Sequence, residues 1–224
     1  MPSRHTPAPP MHDGSKPPVT GNEAPIPTAV GALRVALGQL GRAIERLSDA
    51  QYARADDAPL DGTIGGHTRH CLDHVRALIA AAEHEGDEDG SGGLIDYDER
   101  ARGTAIETDR AAALRAVEEL GRGLTRMGGA GDRALSLRAT IAADGANAGA
   151  WSTLGREAVF VLSHTVHHQA IIAGLIRWQG GEVEPGFGFA ASTLRAGRDG
   201  REGAAGRGSG GGVEAGAGAG MERT

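Results

Sequence analysis

Apolar side chains at alternating steps of three and four residues constrain the fold of this 224-residue chain more than any other feature. Steps of that size bring side chains to one face of an α-helix. The clearest run covers Val30, Leu33, Leu37, Leu40, Ile44 and Leu47. This segment is therefore predicted to form a helix that buries one face.

Three further segments show the same helical pattern. A second helix is predicted to begin after Thr63, a suitable N-cap, and to end at the acidic and glycine-rich stretch EGDEDGSGG. A third is capped by Thr108 or Asp109, and a fourth spans Ala150 to Gln179 and stops at the GG pair that follows. The predicted buried residues of the second and third helices are Leu72, Val75, Leu78, Ile79, Ala82, Leu114, Val117, Leu120, Leu124 and Met127.

Four amphipathic helices with scarcely any strand signal predict an all-α fold, a four-helix bundle. The low aromatic content of 3% means that leucine, valine, isoleucine and alanine must build the core, which suits packing of helix on helix. Only the segment ALSLRATIA alternates weakly, as a short strand or an extended connector would.

Composition divides the chain into one domain and two flexible ends. Eight of the ten prolines precede Thr28, in a stretch that has no apolar run able to nucleate a core. From Ala196 onward glycine dominates and large apolar residues are nearly absent. We therefore predict a disordered arm over residues 1–27, a domain over residues 28–194 and a disordered tail over residues 195–224.

Charge and hydropathy limit the classes of partner and compartment. A net charge of −6 with no basic stripe argues against nucleic acid. The N-terminus lacks the pattern of a signal peptide, and the most apolar segment, Ala158 to Trp178, carries three histidines, so neither secretion nor a membrane span is expected. Cys71 is the single cysteine, which excludes an intrachain disulfide and fits a reducing cytoplasm.

Histidines cluster in two of the predicted helices. The second helix carries His67, His70 and His74, whereas the fourth carries His164, His167 and His168. In the fourth helix, the seam that faces the core contains Leu154, Glu157, Val161, His164, His168, Ile171, Leu175 and Trp178. Because imidazoles four residues apart lie one turn apart on the same face, His164 and His168 have the spacing that converges on one metal ion.

A third ligand from the second helix would complete a site of three protein ligands with an open position. The helical wheel brings His67 and His74 somewhat nearer the apolar centre than His70, so all three stay candidates. The alternative is a polar core in which these histidines only form hydrogen bonds with backbone or carboxylate groups.

The motifs HCLD (His70 to Asp73) and HTVHHQA (His164 to Ala170) resemble those of the DinB-like proteins, a superfamily that includes bacterial thiol S-transferases using bacillithiol or mycothiol. The strings IGGHTRHCLDH, DYDER, LSHTVHHQAII and GFAASTL are similar to a poorly characterised branch of it. The resemblance implies a four-helix bundle that binds a divalent metal through His70, His164 and His168. Many members carry an arginine where this chain has Gln169.

The resemblance also implies a function. It favours a metal-dependent enzyme, a thiol S-transferase or a hydrolase, that acts on a small molecule. The transferase would use a low-molecular-weight thiol, and the resemblance favours a homodimer. The rival is a non-enzymatic metal-binding or structural, dimerising bundle, with Glu157 or His67 as a fourth ligand. Three imidazoles suit zinc, nickel or iron, among other divalent metals.

Residues beside the motifs have predicted roles of their own. Glu157 is expected to pair with an arginine such as Arg69, although it could also orient an imidazole or receive a proton. Asp73 is interpreted as a solvated helix residue, and Cys71 as small core packing. Residues 96–98 either line the mouth of the pocket or form an ordinary polar loop.

Overall fold

The computed structural model of the chain describes residues 26–84, 93–99 and 102–196. Its helices are α1 (Ile26–Glu45), α2 (Asp49–Ala53), α3 (Ile64–Glu83), α4 (Arg110–Met127) and α5 (Leu154–Trp178), and residues 191–196 are also helical. Its strands are β1 (Leu94–Asp96), β2 (Ala134–Thr140) and β3 (Asn147–Thr153), and a 3₁₀ turn covers Ala105–Glu107.

The predicted disordered arm and tail lie mostly outside the residues that the structure describes. The first two residues of α1, Ile26 and Pro27, belong to the predicted arm, and the last two described residues, Arg195 and Ala196, belong to the predicted tail. The remainder of both segments, and most of the stretch EGDEDGSGG, lies outside the described residues.

Three of the long helices, α1, α3 and α4, bury the faces that the periodicity predicts, whereas in α5 the seam residues Ile171 and Trp178 are only partly buried. All six apolar residues of the first run are buried, and so are Leu72, Val75, Leu78 and Ile79 in α3. In α4, Leu120, Leu124 and Met127 are buried, whereas Leu114 and Val117 are partly buried against the same core. Contacts of α1 with α4 and α5, and of α3 with α4 and α5, join the four helices around one core.

Side-chain caps begin α3 and α4 at residues that the sequence suggests, and α5 at one that it does not. Thr63 accepts a hydrogen bond from the backbone N–H of Gly66 and so caps α3. Asp109, rather than Thr108, caps α4 by accepting from the N–H groups of Ala111 and Ala112. Thr153 caps α5 by accepting from Arg156, so this helix begins at Leu154.

The prediction of an all-α four-helix bundle is wrong, because the chain also contains a three-stranded mixed sheet in the order β1-β2-β3. ALSLRATIA supplies β2, which pairs antiparallel with β3 from Ala134 opposite Thr153 to Thr140 opposite Asn147. β1 lies parallel to β2, with Leu94 opposite Ser136. Residues 150–153, predicted as the first turn of the fourth helix, therefore belong to a strand.

The longest helix, α5, is also long and apolar enough to cross a membrane by length and composition alone. Core helices satisfy the same two criteria, and α5 packs against both α1 and α3. It also buries polar side chains, Glu157, Thr165 and Gln169, in the protein core. Part of its apolar surface is therefore buried against the other helices.

Candidate metal centre

Two neighbouring helices supply the histidine cluster. α3 begins at the Thr63 cap, so His67 and His70 lie in its first two turns, and His74 follows one turn after His70. α5 carries His164 and His168 one turn apart. Because α3 and α5 pack side by side, the two sets of imidazoles face each other.

The structure brings the three predicted ligands together. Nitrogen atoms of His70, His164 and His168 all lie within 4.8 Å of one another, and each of these residues is partly buried. The Nε2 atoms of His70 and His164 are 2.9 Å apart, and the ring centroids of His70 and His168 are separated by 4.6 Å. Of the three candidates on α3, His70 is the one that forms this group of three with His164 and His168.

The donor set fits a divalent ion. Two imidazole nitrogens bound at about 2.0–2.1 Å in a tetrahedral site lie about 3.3 Å apart. The His70 and His164 nitrogens approach that separation, at 2.9 Å. Three nitrogen donors suit zinc, nickel, copper or ferrous iron better than calcium or magnesium, which prefer oxygen.

The surroundings of His168, one of the three histidines, hold it in the neutral form. Burial lowers the pKa of His168 to about 3, and the neighbouring His164, His67, His167 and His74 add to the effect because adjacent positive charges would repel. An imidazole must be neutral to bind a metal. His168 is therefore ready to act as a ligand at neutral pH.

His74 and Tyr97 form a ring stack behind His164. The His74 ring lies parallel to Tyr97 at 4.7 Å between centroids and nearly parallel to His164 at 4.1 Å. Because Nδ1 of His74 lies 3.0 Å from the carbonyl oxygen of His70, that nitrogen carries the hydrogen and donates it. His74 thus packs on the ring of His164 and is not one of the three histidines of the cluster.

Glu157 is fully buried and anchors this stack. Its carboxylate accepts hydrogen bonds from the Tyr97 hydroxyl at 2.8 Å, the Ser152 hydroxyl at 2.5 Å and the Arg156 guanidinium at 2.6 Å. Burial, followed by the contact with Glu157, raises the pKa of Tyr97, which therefore stays protonated and donates. The predicted pairing of Glu157 with an arginine is confirmed, but the partner is Arg156 and not Arg69.

Arg69 and Asp73 form a separate ion-pair network. Arg69 contacts Asp73 at 2.7 Å and Glu107 at 2.8 Å, and Arg76 contacts Asp73 at 2.9 Å. The interpretation of Asp73 as a solvated residue is wrong, since only 10% of its side chain is exposed. This network ties the first half of α3 to the 3₁₀ turn.

Two other residues near the motifs have structural roles. Cys71 is buried as predicted, and burial raises the pKa of its thiol to about 12, which leaves it protonated and unreactive. Gln169 is buried and donates from Nε2 to the carbonyl oxygen of Ala36 at 2.6 Å. At the position where many DinB-like proteins carry arginine, this chain therefore has a glutamine that joins α5 to α1 by a hydrogen bond.

Sequence reasoning missed Phe160 and Ser152. Phe160 lies 5.8 Å from His164 and 5.3 Å from Tyr97 between ring centroids, and the guanidinium carbon of Arg156 lies over the Phe160 ring at 5.3 Å from its centroid. Phe160 precedes His164 by one helical turn, which is a signal that could have found it. Ser152 carried no signal, because it lies in a strand that was not predicted.

Comparisons with known proteins add no family to this description. No protein-family model matches the chain, and neither the curated proteins nor the solved structures contain a match. The similarity to DinB-like proteins rests on the quoted motifs and remains a prediction.

Proposed function

We propose that this chain is a metal-dependent enzyme that holds one divalent ion through His70, His164 and His168 and acts on a thiol or a water molecule. One observation carries the proposal: three imidazoles from two helices have their nitrogen atoms within 4.8 Å of one another. A divalent metal ion is a partner that suits three nitrogen lone pairs converging at one place.

A divalent ion held by three neutral imidazoles retains its full charge and lowers the pKa of a water or thiol at an open position. The chain's own residues contribute orientation. The ring of His74 packs on one face of His164, and Tyr97 holds His74 from its other side. The buried Glu157 carboxylate fixes Tyr97 in turn.

The motif resemblance favours the thiol reaction over hydrolysis. In that reaction a low-molecular-weight thiol attacks an electrophilic small molecule. The described residues place no competing nucleophile in the site, since Cys71 is buried and its thiol is held in the protonated form. The nucleophile would therefore come from solution.

A non-enzymatic metal-binding protein is the second candidate. The rings of His67 and His74 pack directly against the ligands, at 5.2 Å from His168 and 4.1 Å from His164 between centroids. Such close packing favours a ligand shell that is closed to solutes. Water exchange at the bound ion separates the two candidates, because only the enzyme needs an exchangeable position.

The test of the proposal is metal content by elemental analysis of the purified protein and of its variants. We expect one divalent ion per chain in the wild type, and its loss in both His70→Ala and His164→Ala. His84→Ala is the matched control, since His84 follows α3 outside the cluster and is exposed. Wild-type protein that stays metal-free after reconstitution would refute the site.

Metal-loaded protein then decides the reaction. Consumption of thiol and electrophile together, abolished in His164→Ala, would support the transferase. Release of acid from an ester or amide without a thiol would support hydrolysis instead. Loaded protein with a saturated shell and neither activity would favour the metal-binding candidate.

A further inference from the structure

Both ring nitrogens of His67 lie within hydrogen-bond distance of a partner. Its Nε2 lies 3.0 Å from the carbonyl oxygen of Asp61, and its Nδ1 lies 3.1 Å from Nδ1 of His168. His67 is thus inserted between the loop before α3 and a candidate ligand on α5.

The chemistry of these partners fixes the hydrogens. A carbonyl oxygen only accepts, so Nε2 of His67 must donate to Asp61. In a neutral imidazole the other nitrogen is an acceptor, so Nδ1 of His67 receives its hydrogen from Nδ1 of His168. The lone pair of His168 is then on Nε2.

The opposite assignment requires a charged His67. If both of its nitrogens donated, His67 would be an imidazolium in contact with a ligand of a divalent cation. Repulsion between these charges disfavours that form. The hydrogen bonds that link Asp61, a neutral His67 and His168 carry no such cost.

The backbone around Asp61 is arranged for this contact. Gly62 has a φ of 92°, in the left-handed region that favours glycine. A Cβ atom at Gly62 would lie 3.3 Å from Nε2 of His67, tighter than an ordinary contact. The loop therefore passes close over the ring and directs a carbonyl oxygen at it.

We propose that His67 is a positioning residue that holds His168 as an Nε2 metal ligand and is not a ligand itself. The inference rests on the proposed metal site and adds to it a hydrogen-bonded support. Partners of this kind set the orientation and tautomer of a metal-bound histidine and increase its basicity. A neutral histidine as the acceptor would leave the net charge of the site unchanged.

The test compares zinc affinity near neutral pH in full-length variants, measured by competition with a chelator. His67→Leu removes the acceptor, and we expect the affinity to fall by about 10–100-fold. His67→Asn is expected to recover most of that loss, because its side-chain oxygen can replace Nδ1 as acceptor. His167→Leu, which alters an exposed neighbour of His168, should bind zinc like the wild type.

Nitrogen-15 NMR of the histidine rings in zinc-loaded wild-type protein provides a readout that needs no variant. We expect a proton on Nδ1 of His168 and the metal on its Nε2, with neither nitrogen of His67 bound to zinc. Zinc on His67, or on Nδ1 of His168, would overturn the inference while leaving the metal site intact. Unchanged affinity in His67→Leu would also overturn it, and wild-type protein unable to bind zinc would refute both proposals.

Discussion

The carboxylate of Glu157 has no exposed surface, yet it lies next to the stacked rings of Tyr97 and His74. Burying a carboxylate is costly unless hydrogen bonds replace its water, and three donors do so here. One of them, Arg156, has 60% of its side chain exposed. Glu157 therefore binds the exposed Arg156 guanidinium on one side and the hydroxyl of Tyr97, which belongs to the ring stack, on the other.

Removing this carboxylate is expected to loosen the stack. In Glu157→Leu the buried hydroxyl of Tyr97 loses its acceptor, which should lower the free energy of unfolding by about 1–3 kcal/mol. Chemical denaturation measures the change. The exposed Arg156 guanidinium can form hydrogen bonds with water instead, so the loss of its partner should change the free energy of unfolding little.

A double-mutant cycle checks the origin of that effect. Tyr97→Phe removes the hydroxyl, so Glu157→Leu made in that background should cost less than it does alone. Strictly additive effects of the two substitutions would contradict the proposed coupling of Glu157 to Tyr97.

At the scale of elements, the start of α3 is held in place by its neighbours. Tyr52 of α2 is buried and donates its hydroxyl hydrogen to the carbonyl oxygen of Ile106 at 2.7 Å. Gly65, in the first turn of α3, packs against Tyr52 and against the backbone of Glu107. This close approach fixes the end of the helix that carries His67 and His70.

Gly65→Ala is expected to destabilise the fold by about 1–3 kcal/mol, because the added methyl group overpacks a tight contact. Its Cβ would collide with the carbonyl oxygen of Glu107 and lie 2.9 Å from the Tyr52 ring. Urea denaturation measures the loss. The control is Gly121→Ala in α4, where no other atom lies within 4 Å of the new Cβ.

The control should behave in the opposite way. Alanine is a better helix former than glycine, so Gly121→Ala should stabilise the protein by about 0.5–1 kcal/mol. Equal effects of the two substitutions would show that the approach at Gly65 does not constrain α3.

Helices α1, α3 and α4 were predictable because each encodes its buried face in its own sequence, whereas the five-residue helix α2 is too short to show such a pattern. The apolar repeats in α1, α3 and α4 can be recognised without knowing which helices pack against them. Thr63 and Asp109 mark the starts of α3 and α4. The strands were less predictable. β1 has only three residues, and β3 is exposed along most of its length, so neither shows an alternating apolar pattern.

For the molecule as a whole, the sheet and the metal centre both depend on contacts between distant segments. The pairing of β1 with β2 joins residues about forty positions apart, as Leu94 and Ser136 show, and no local pattern records it. The HxxxH spacing on α5 predicted two of the three histidines in the cluster. On α3 the helical wheel favoured His67 and His74, and only the motif resemblance pointed to His70, which the packing of the two helices brings to His164 and His168.

The same packing explains why each histidine has a different position. His70 meets His164 and His168, His67 reaches back to the loop before α3, and His74 stacks between His164 and Tyr97. Three residues of one helix thus take three roles that their spacing alone could not distinguish.

Anomalous X-ray diffraction at the zinc absorption edge, from crystals of the zinc-loaded protein, tests the three-histidine metal site most directly. We expect one strong peak per chain, at about 2.0–2.1 Å from a nitrogen of each of His70, His164 and His168. A peak bound by other residues, or no peak between α3 and α5, would contradict it.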